Sequence, residues 1–188
     1  MTASGNGLDK QLARSIELVV FDVDGVVTDA GVYIGATEGG EAVELKRFDI
    51  QDGVGMKMLK WAGLEVAVVS GRVSKATELR MREIGVECHQ QPDAYKMPAI
   101  QGMLSKMGID WGAVAMMGDD IPDLAALRRV GLPVAVANAT PAVRSMAKWV
   151  STQRGGHGAV REFCEALLDA RGELDDVIEK YVTERSGS

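Results

Sequence analysis

Cysteine and histidine are scarce in this 188-residue chain, at two of each, and aromatic residues make up only 5%. Cys88 and Cys164 cannot build a disulfide framework, and neither lies in a Cys-x-x-Cys metal spacing. A reducing, cytoplasmic compartment is therefore expected. His89 and His157 are too far apart in sequence to form a helical metal-ligand pair. Trp61, Trp111 and Trp149 have no basic stripe beside them, so a base-stacking platform is excluded and packing roles are expected. Positive charge is also short: 21 Lys and Arg stand against 27 Asp and Glu, a formal net charge of −6. Binding a polyanion such as DNA needs a basic surface, so nucleic acid is not the expected partner. A small anion needs only a local cluster of cations or a metal. No apolar run reaches the ~20 residues that span a bilayer, so no membrane partner is expected. The start of the chain lacks the charged-then-apolar layout of a signal peptide.

What the chain does have is a rhythm of short apolar runs. Glu17–Phe21, Glu65–Val69, Ala113–Met117 and Pro133–Ala137 are rich in β-branched residues and do not alternate in polarity, as expected of strands buried on both faces. Helical periodicity lies between them, with Val54, Met58, Leu59 and Trp61 before the second run. Met97, Ile100, Leu104 and Met107 precede the third, and Pro98 there is tolerable only in a helix's first turn. This alternation predicts an α/β fold: a three-layer, doubly wound, Rossmann-like parallel sheet. Val32–Ile34 and Ala42–Leu45 flank a Gly-rich turn and predict a β-hairpin over about residues 31–48, with no room for a cap domain. A flexible arm is expected over residues 1–12, one domain over 13–172, and an amphipathic helical tail over 173–188, where Leu174, Val177, Ile178, Tyr181 and Val182 share a face.

Open α/β sheets bind ligands beyond the carboxyl ends of their strands. Asp22-Val23-Asp24 follows the first run, Ser70-Gly71-Arg72 the second, and Gly118-Asp119-Asp120, with Asp123, the third; Lys96 precedes the Pro98 helix. Each alone is an ordinary turn or a solvated lysine. Together they suit phosphoryl transfer. Asp22 and Asp119 at neighbouring strand ends repel unless a hard cation, most naturally Mg²⁺, sits between them. Asp22 is then the candidate nucleophile, forming an aspartyl-phosphate, and Asp24 the general acid and base. Ser70 and Lys96 are the candidate stabilisers of phosphoryl charge.

The order and content of these motifs resemble the haloacid dehalogenase superfamily of phosphotransferases. The resemblance implies Mg²⁺ held by Asp22, the Asp24 carbonyl and Asp119, with Asp120 and Asp123 orienting that shell. A finer resemblance, carried by Asp24–Gly31, Leu45–Gly53, Ser70–Arg72 and Gly155–Glu162, is to the capless 3-deoxy-D-manno-octulosonate 8-phosphate phosphatases and the related nonulosonate 9-phosphate phosphatases. It implies a homotetramer built by the hairpin, with neighbouring subunits closing each site. It also implies substrate contacts at Asp24, Asp49, Ile50, Gln51, Asp52, Gly53, Lys57, Gly71, Arg72, Arg80, Lys96 and His157. Arg72 is similar to the octulosonate group, whereas Gln51 and His157 stand where that group carries arginine. The nonulosonate phosphatases are therefore the alternative; a sugar phosphotransferase or a non-catalytic assembly module rank behind both.

Overall fold

A computed structural model describes residues 7–186. Its main sheet has six strands, all parallel, in the order β5-β4-β1-β6-β7-β8. The strands are β1 (Leu18–Phe21), β4 (Glu65–Ser70), β5 (Glu87–Gln90), β6 (Val114–Gly118), β7 (Leu132–Ala135) and β8 (Trp149–Val150). β1, β6 and β7 are buried along their whole length, so both sheet faces are covered, as their unbroken apolar runs require. The helices are α1 (Lys10–Arg14), α2 (Ile50–Trp61), α3 (Lys75–Ile84), α4 (Lys96–Met107), α5 (Leu124–Leu127), α6 (Pro141–Met146), α7 (Ala159–Arg171) and α8 (Leu174–Arg185). α7 packs on α2, α1 and α8, while α5 bridges α4 and α6. Pro98 falls in the first turn of α4, where its missing N–H costs no hydrogen bond.

The chain winds outward from β1 to β4 and β5, then returns to β6 on the other side of β1. That reversal opens a crevice beyond the carboxyl ends of β1, β4 and β6. Four of the strands were legible as apolar runs. The polar edge strand β5 was not, because an edge strand has only one neighbour to satisfy and need not be apolar; β8 is apolar, but two residues are too few to register as a run.

The hairpin stands apart as a second, two-stranded sheet, β2 (Tyr33–Ala36) against β3 (Ala42–Leu45). An isolated bridge between Thr28 and Phe48 closes its base. Tyr33, Ile34 and Leu45 on it are all exposed.

At the amino end, residues 1–6 of the expected flexible arm lie outside the described residues, and the rest of it is structured from Asp9 onward. Asp9 caps α1 by accepting from the Leu12 N–H at 2.7 Å, and Arg171 Nη1 donates to the Ala13 and Ile16 carbonyls, each at 3.0 Å. α8 returns to the domain through buried Val177 and the stacking of Tyr181 on Trp61, ring centroids 5.0 Å apart. No helix among the described residues is long and apolar enough to cross a membrane.

Candidate active site

Directly after β1 the backbone turns through a wide loop, closed by the Thr28 N–H donating to the Val23 carbonyl at 3.0 Å. The loop aims Asp22 and Asp24 into the crevice. It needs glycine at position 25: φ is +103°, and a Cβ there would fall 2.1 Å from Asp119 Oδ2. The loop after β6 approaches as closely. A Cβ on Gly118 would lie 2.6 Å from Asp123 Oδ2, so glycine lets the Asp123 carboxylate fold back over its own strand end.

One cavity of about 260 Å³ is lined by Asp22, Asp24, Gly71, Arg72, Lys96, Asp119, Asp120 and Asp123, together with Ala30 and Pro122. Eight residues expected from sequence are thus gathered from four separate stretches of chain. Asp22, Asp119 and Asp123 present carboxylate oxygens within 4.8 Å of one another. The Lys96 ammonium lies between two of them, 2.5 Å from Asp22 Oδ1 and 2.6 Å from Asp123 Oδ1. The other Asp123 oxygen accepts the Asp119 and Asp120 N–H groups at 3.0 and 3.4 Å. Asp123 is therefore fully engaged in holding the loop and the lysine. By contrast, Asp119 Oδ1 is buried without a hydrogen-bond partner.

The electrostatics follow from crowding. Burial first, and then the charge of Asp123, push the Asp22 carboxyl well above the ordinary range; Lys96 opposes them but does not prevail. The same two causes push Asp119 up to about 7. Burial works against the Lys96 charge, but Asp22 and Asp123 overcome it and its pKa is raised. Three clustered carboxylates share one ammonium, and one buried oxygen is left over. That donor set fits a hard divalent cation such as Mg²⁺, with Asp22 and Asp119 as the side chains able to hold it.

The remaining expected residues are placed differently. Ser70 ends β4 but is buried, its hydroxyl paired with the Arg72 backbone at 3.1 Å. Asp52 does not line the cavity: its side chain is wholly buried and accepts the Arg161 and Gly158 N–H groups at 2.9 and 3.3 Å, capping α7. Gly53 likewise lies outside the cavity lining, buried beneath the Arg80 guanidinium. Arg80 donates to the Asp49 carbonyl at 3.3 Å and to Glu83 at 3.0 Å. Asp49 caps α2 through the Gln51 N–H at 2.8 Å. Ile50, Gln51, Lys57 and His157 do not line the cavity; Ile50, Gln51 and His157 are exposed.

One neighbour of the site escaped notice in the sequence. Lys46, at the hairpin's exit, is in contact with Asp24. It belongs to the Leu45–Gly53 stretch that carries part of the family resemblance, but nothing local signals that its amine is buried.

A family model described as haloacid dehalogenase-like hydrolase matches residues 90–163. The 3-deoxy-D-manno-octulosonate 8-phosphate phosphatase of Escherichia coli (strain K12) is 40% identical over 164 residues, covering 87% of this chain and 85% of that protein. A crystal structure of the phosphatase of that name from Moraxella catarrhalis, in complex with magnesium ion, phosphate ion and KDO, superposes with a TM-score of 0.84 at 35% identity, covering 92% of this chain and 97% of that one. A probable YrbI family phosphatase from Pseudomonas syringae superposes at 0.83 with 41% identity, over 92% and 96% of the two chains.

Proposed function

The chain belongs to the 3-deoxy-D-manno-octulosonate 8-phosphate phosphatases among the haloacid dehalogenase-like hydrolases, and from that premise we propose that it hydrolyses the phosphate monoester of this eight-carbon sugar acid. The observation that carries the proposal is the crevice itself: three carboxylates within 4.8 Å, one lysine among them, and an unpartnered Asp119 oxygen.

In this reading an Asp22 oxygen attacks phosphorus, and the bond from phosphorus to the sugar oxygen breaks. The Asp24 carboxyl gives its proton to that departing oxygen. Asp24, now a carboxylate, takes a proton from water as the water oxygen attacks the aspartyl-phosphate, releasing inorganic phosphate and restoring Asp22. Lys96 stays an ammonium throughout, fixing the Asp22 carboxylate and offering positive charge to the phosphoryl oxygens. Asp22, the Asp24 carbonyl and Asp119 would hold Mg²⁺, which would supply the charge that lets a carboxylate approach a phosphate dianion. Asp123 and Asp120 orient the loop that carries Asp119. Gly71 and Arg72, at the open rim, join Asp24 and Lys96 as the expected substrate contacts that line this cavity.

We further propose a homotetramer assembled through the hairpin, where the cross-strand pair Tyr33 and Leu45 and, on the other face, Ile34 are exposed on an element that otherwise packs on little. Asp49, Ile50, Gln51, Lys57 and His157 would then meet substrate only across a subunit boundary. The two unpaired cysteines favour a reducing, cytoplasmic setting.

Phosphate release from octulosonate 8-phosphate and nonulosonate 9-phosphate, with Mg²⁺, tests the function. The octulosonate ester should give the higher kcat/KM, and Asp22→Asn should abolish turnover of both. Retention of most activity by Asp22→Asn would end this mechanism.

A further inference from the structure

Among hairpin residues, Lys46 is set apart by burial. The strands before it face solvent, yet its side chain is 0% exposed. Nζ donates to Asp24 Oδ1 at 2.7 Å and lies 3.5 Å from Thr77 Oγ1 and 3.8 Å from Glu44 Oε1. Glu44 is itself held, accepting from Ser74 Oγ at 2.5 Å and from Arg72 Nη2 at 2.9 Å. A buried ammonium is costly unless paired, and the pairing here is with Asp24. The other cation near that carboxylate, Arg72 Nη1, is 3.9 Å away on a half-exposed side chain.

We propose that Lys46 is a positioning residue for proton transfer by Asp24, supplied by the hairpin; this rests on the reading of Asp24 as acid and base. With Oδ1 gripped by Lys46, the proton travels through Oδ2. Oδ2–H gives its proton to the departing sugar oxygen, and Oδ2 later takes one from the attacking water. Lys46 keeps its three protons in both half-reactions. Its complete burial within the chain separates it from the substrate, so its influence passes through Asp24. The Glu44–Ser74 and Glu44–Arg72 bonds tie the same segment to the loop leading into α3, so the hairpin is braced against the loop that carries Arg72 into the cavity.

The test compares Lys46→Met, Lys46→Arg and Asp24→Asn on two substrates. From octulosonate 8-phosphate the sugar leaves as an alkoxide and needs a proton; from acetyl phosphate acetate leaves as a stable carboxylate and needs none. With the sugar phosphate, Lys46→Met should lower kcat by about 10–100-fold with KM changed less than about threefold. The ratio of the two kcat/KM values, sugar phosphate over acetyl phosphate, should fall by about tenfold or more, as in Asp24→Asn, and Lys46→Arg should recover part of it. Lys46→Gln, which keeps a donor, replaces the methionine variant if that one does not fold. Equal losses on both substrates, or a raised KM with kcat intact, would overturn the inference. A selective loss in Asp24→Asn without one at Lys46 would overturn this inference alone. No selective loss in Asp24→Asn would overturn the acid–base reading together with it.

Discussion

Replacing Asp119 by asparagine should stabilise the metal-free protein while destroying its activity. In the folded chain the Asp119 carboxyl is pushed from its ordinary 3.8 up to about 7, by burial first and by Asp123 second. The folded state therefore holds this proton more tightly than the unfolded chain does. Ionised Asp119 lowers stability above pH 7, and that cost is shed as the pH falls from 7 towards 4. The displacement sets a ceiling of about 4 kcal/mol at pH 8. Solvent on the open side of the cavity screens the repulsion, which brings the expected gain for Asp119→Asn to about 2 kcal/mol. In urea with a chelator, a chain of this size unfolds with a slope of roughly 2 kcal/mol per molar, so the midpoint should rise by about 1 M at pH 8. At pH 5 the gain should shrink below about 1 kcal/mol, because wild-type Asp119 is then protonated as well. Millimolar Mg²⁺ should narrow or reverse the difference, since it binds the wild-type carboxylates and adds stability by mass action. An Asp119→Asn chain less stable than wild type in chelator at pH 8 would refute the reasoning, by showing that the carboxylate cluster is not strained without a cation.

Three further outcomes follow from neighbouring groups. Lys96→Met leaves Asp22 and Asp123 without their shared cation and should cost about 3–5 kcal/mol in chelator at pH 8, read from the same urea midpoints; a cost under about 1 kcal/mol would contradict the pairing. Gly25→Ala forces a Cβ into Asp119, so kcat/KM should fall by at least about 10²-fold, with weaker Mg²⁺ binding by calorimetry; near-normal metal affinity would count against that contact. Asp52 is pushed up to about 6, chiefly by burial and against the pull of the Arg161 and Gly158 N–H groups. Wild type should therefore gain up to about 1.4 kcal/mol from this group as the pH falls from 8 to 5, and Asp52→Asn should lack that slope; parallel pH profiles for the two would dispose of the assignment.

The crevice was readable from sequence because its parts obey local rules. Each acidic or hydroxyl-bearing turn follows a strand that announces itself by continuous Val, Ala and Met, and topology does the rest by placing those strand ends side by side. Asp52 shows where this reasoning stops. In sequence it is one more acid near the start of a helix, and only the packing of α2 against α7 turns it into a cap for a helix over a hundred residues further on. Lys46 is the converse case, a charge of the kind normally left in solvent that tertiary structure buries against the Asp24 carboxylate. The edge strand β5 escaped because Glu87, His89 and Gln90 carry no apolar signal, and α1 because five residues are too few to show a period, although Asp9 ahead of Lys10–Arg14 is a helix-start signal. Apolar patterning makes the scaffold legible, whereas polar groups that answer one another across the fold leave no trace in spacing.

The most direct measurement is to trap the covalent intermediate. Octulosonate 8-phosphate labelled with ³²P is mixed with enzyme and Mg²⁺, quenched in acid within milliseconds, and the digested protein is mapped. The label should reside on the peptide carrying Asp22, appear before free phosphate, and be absent from Asp22→Asn. Phosphate released at full rate with no label on Asp22 at any time would contradict the account.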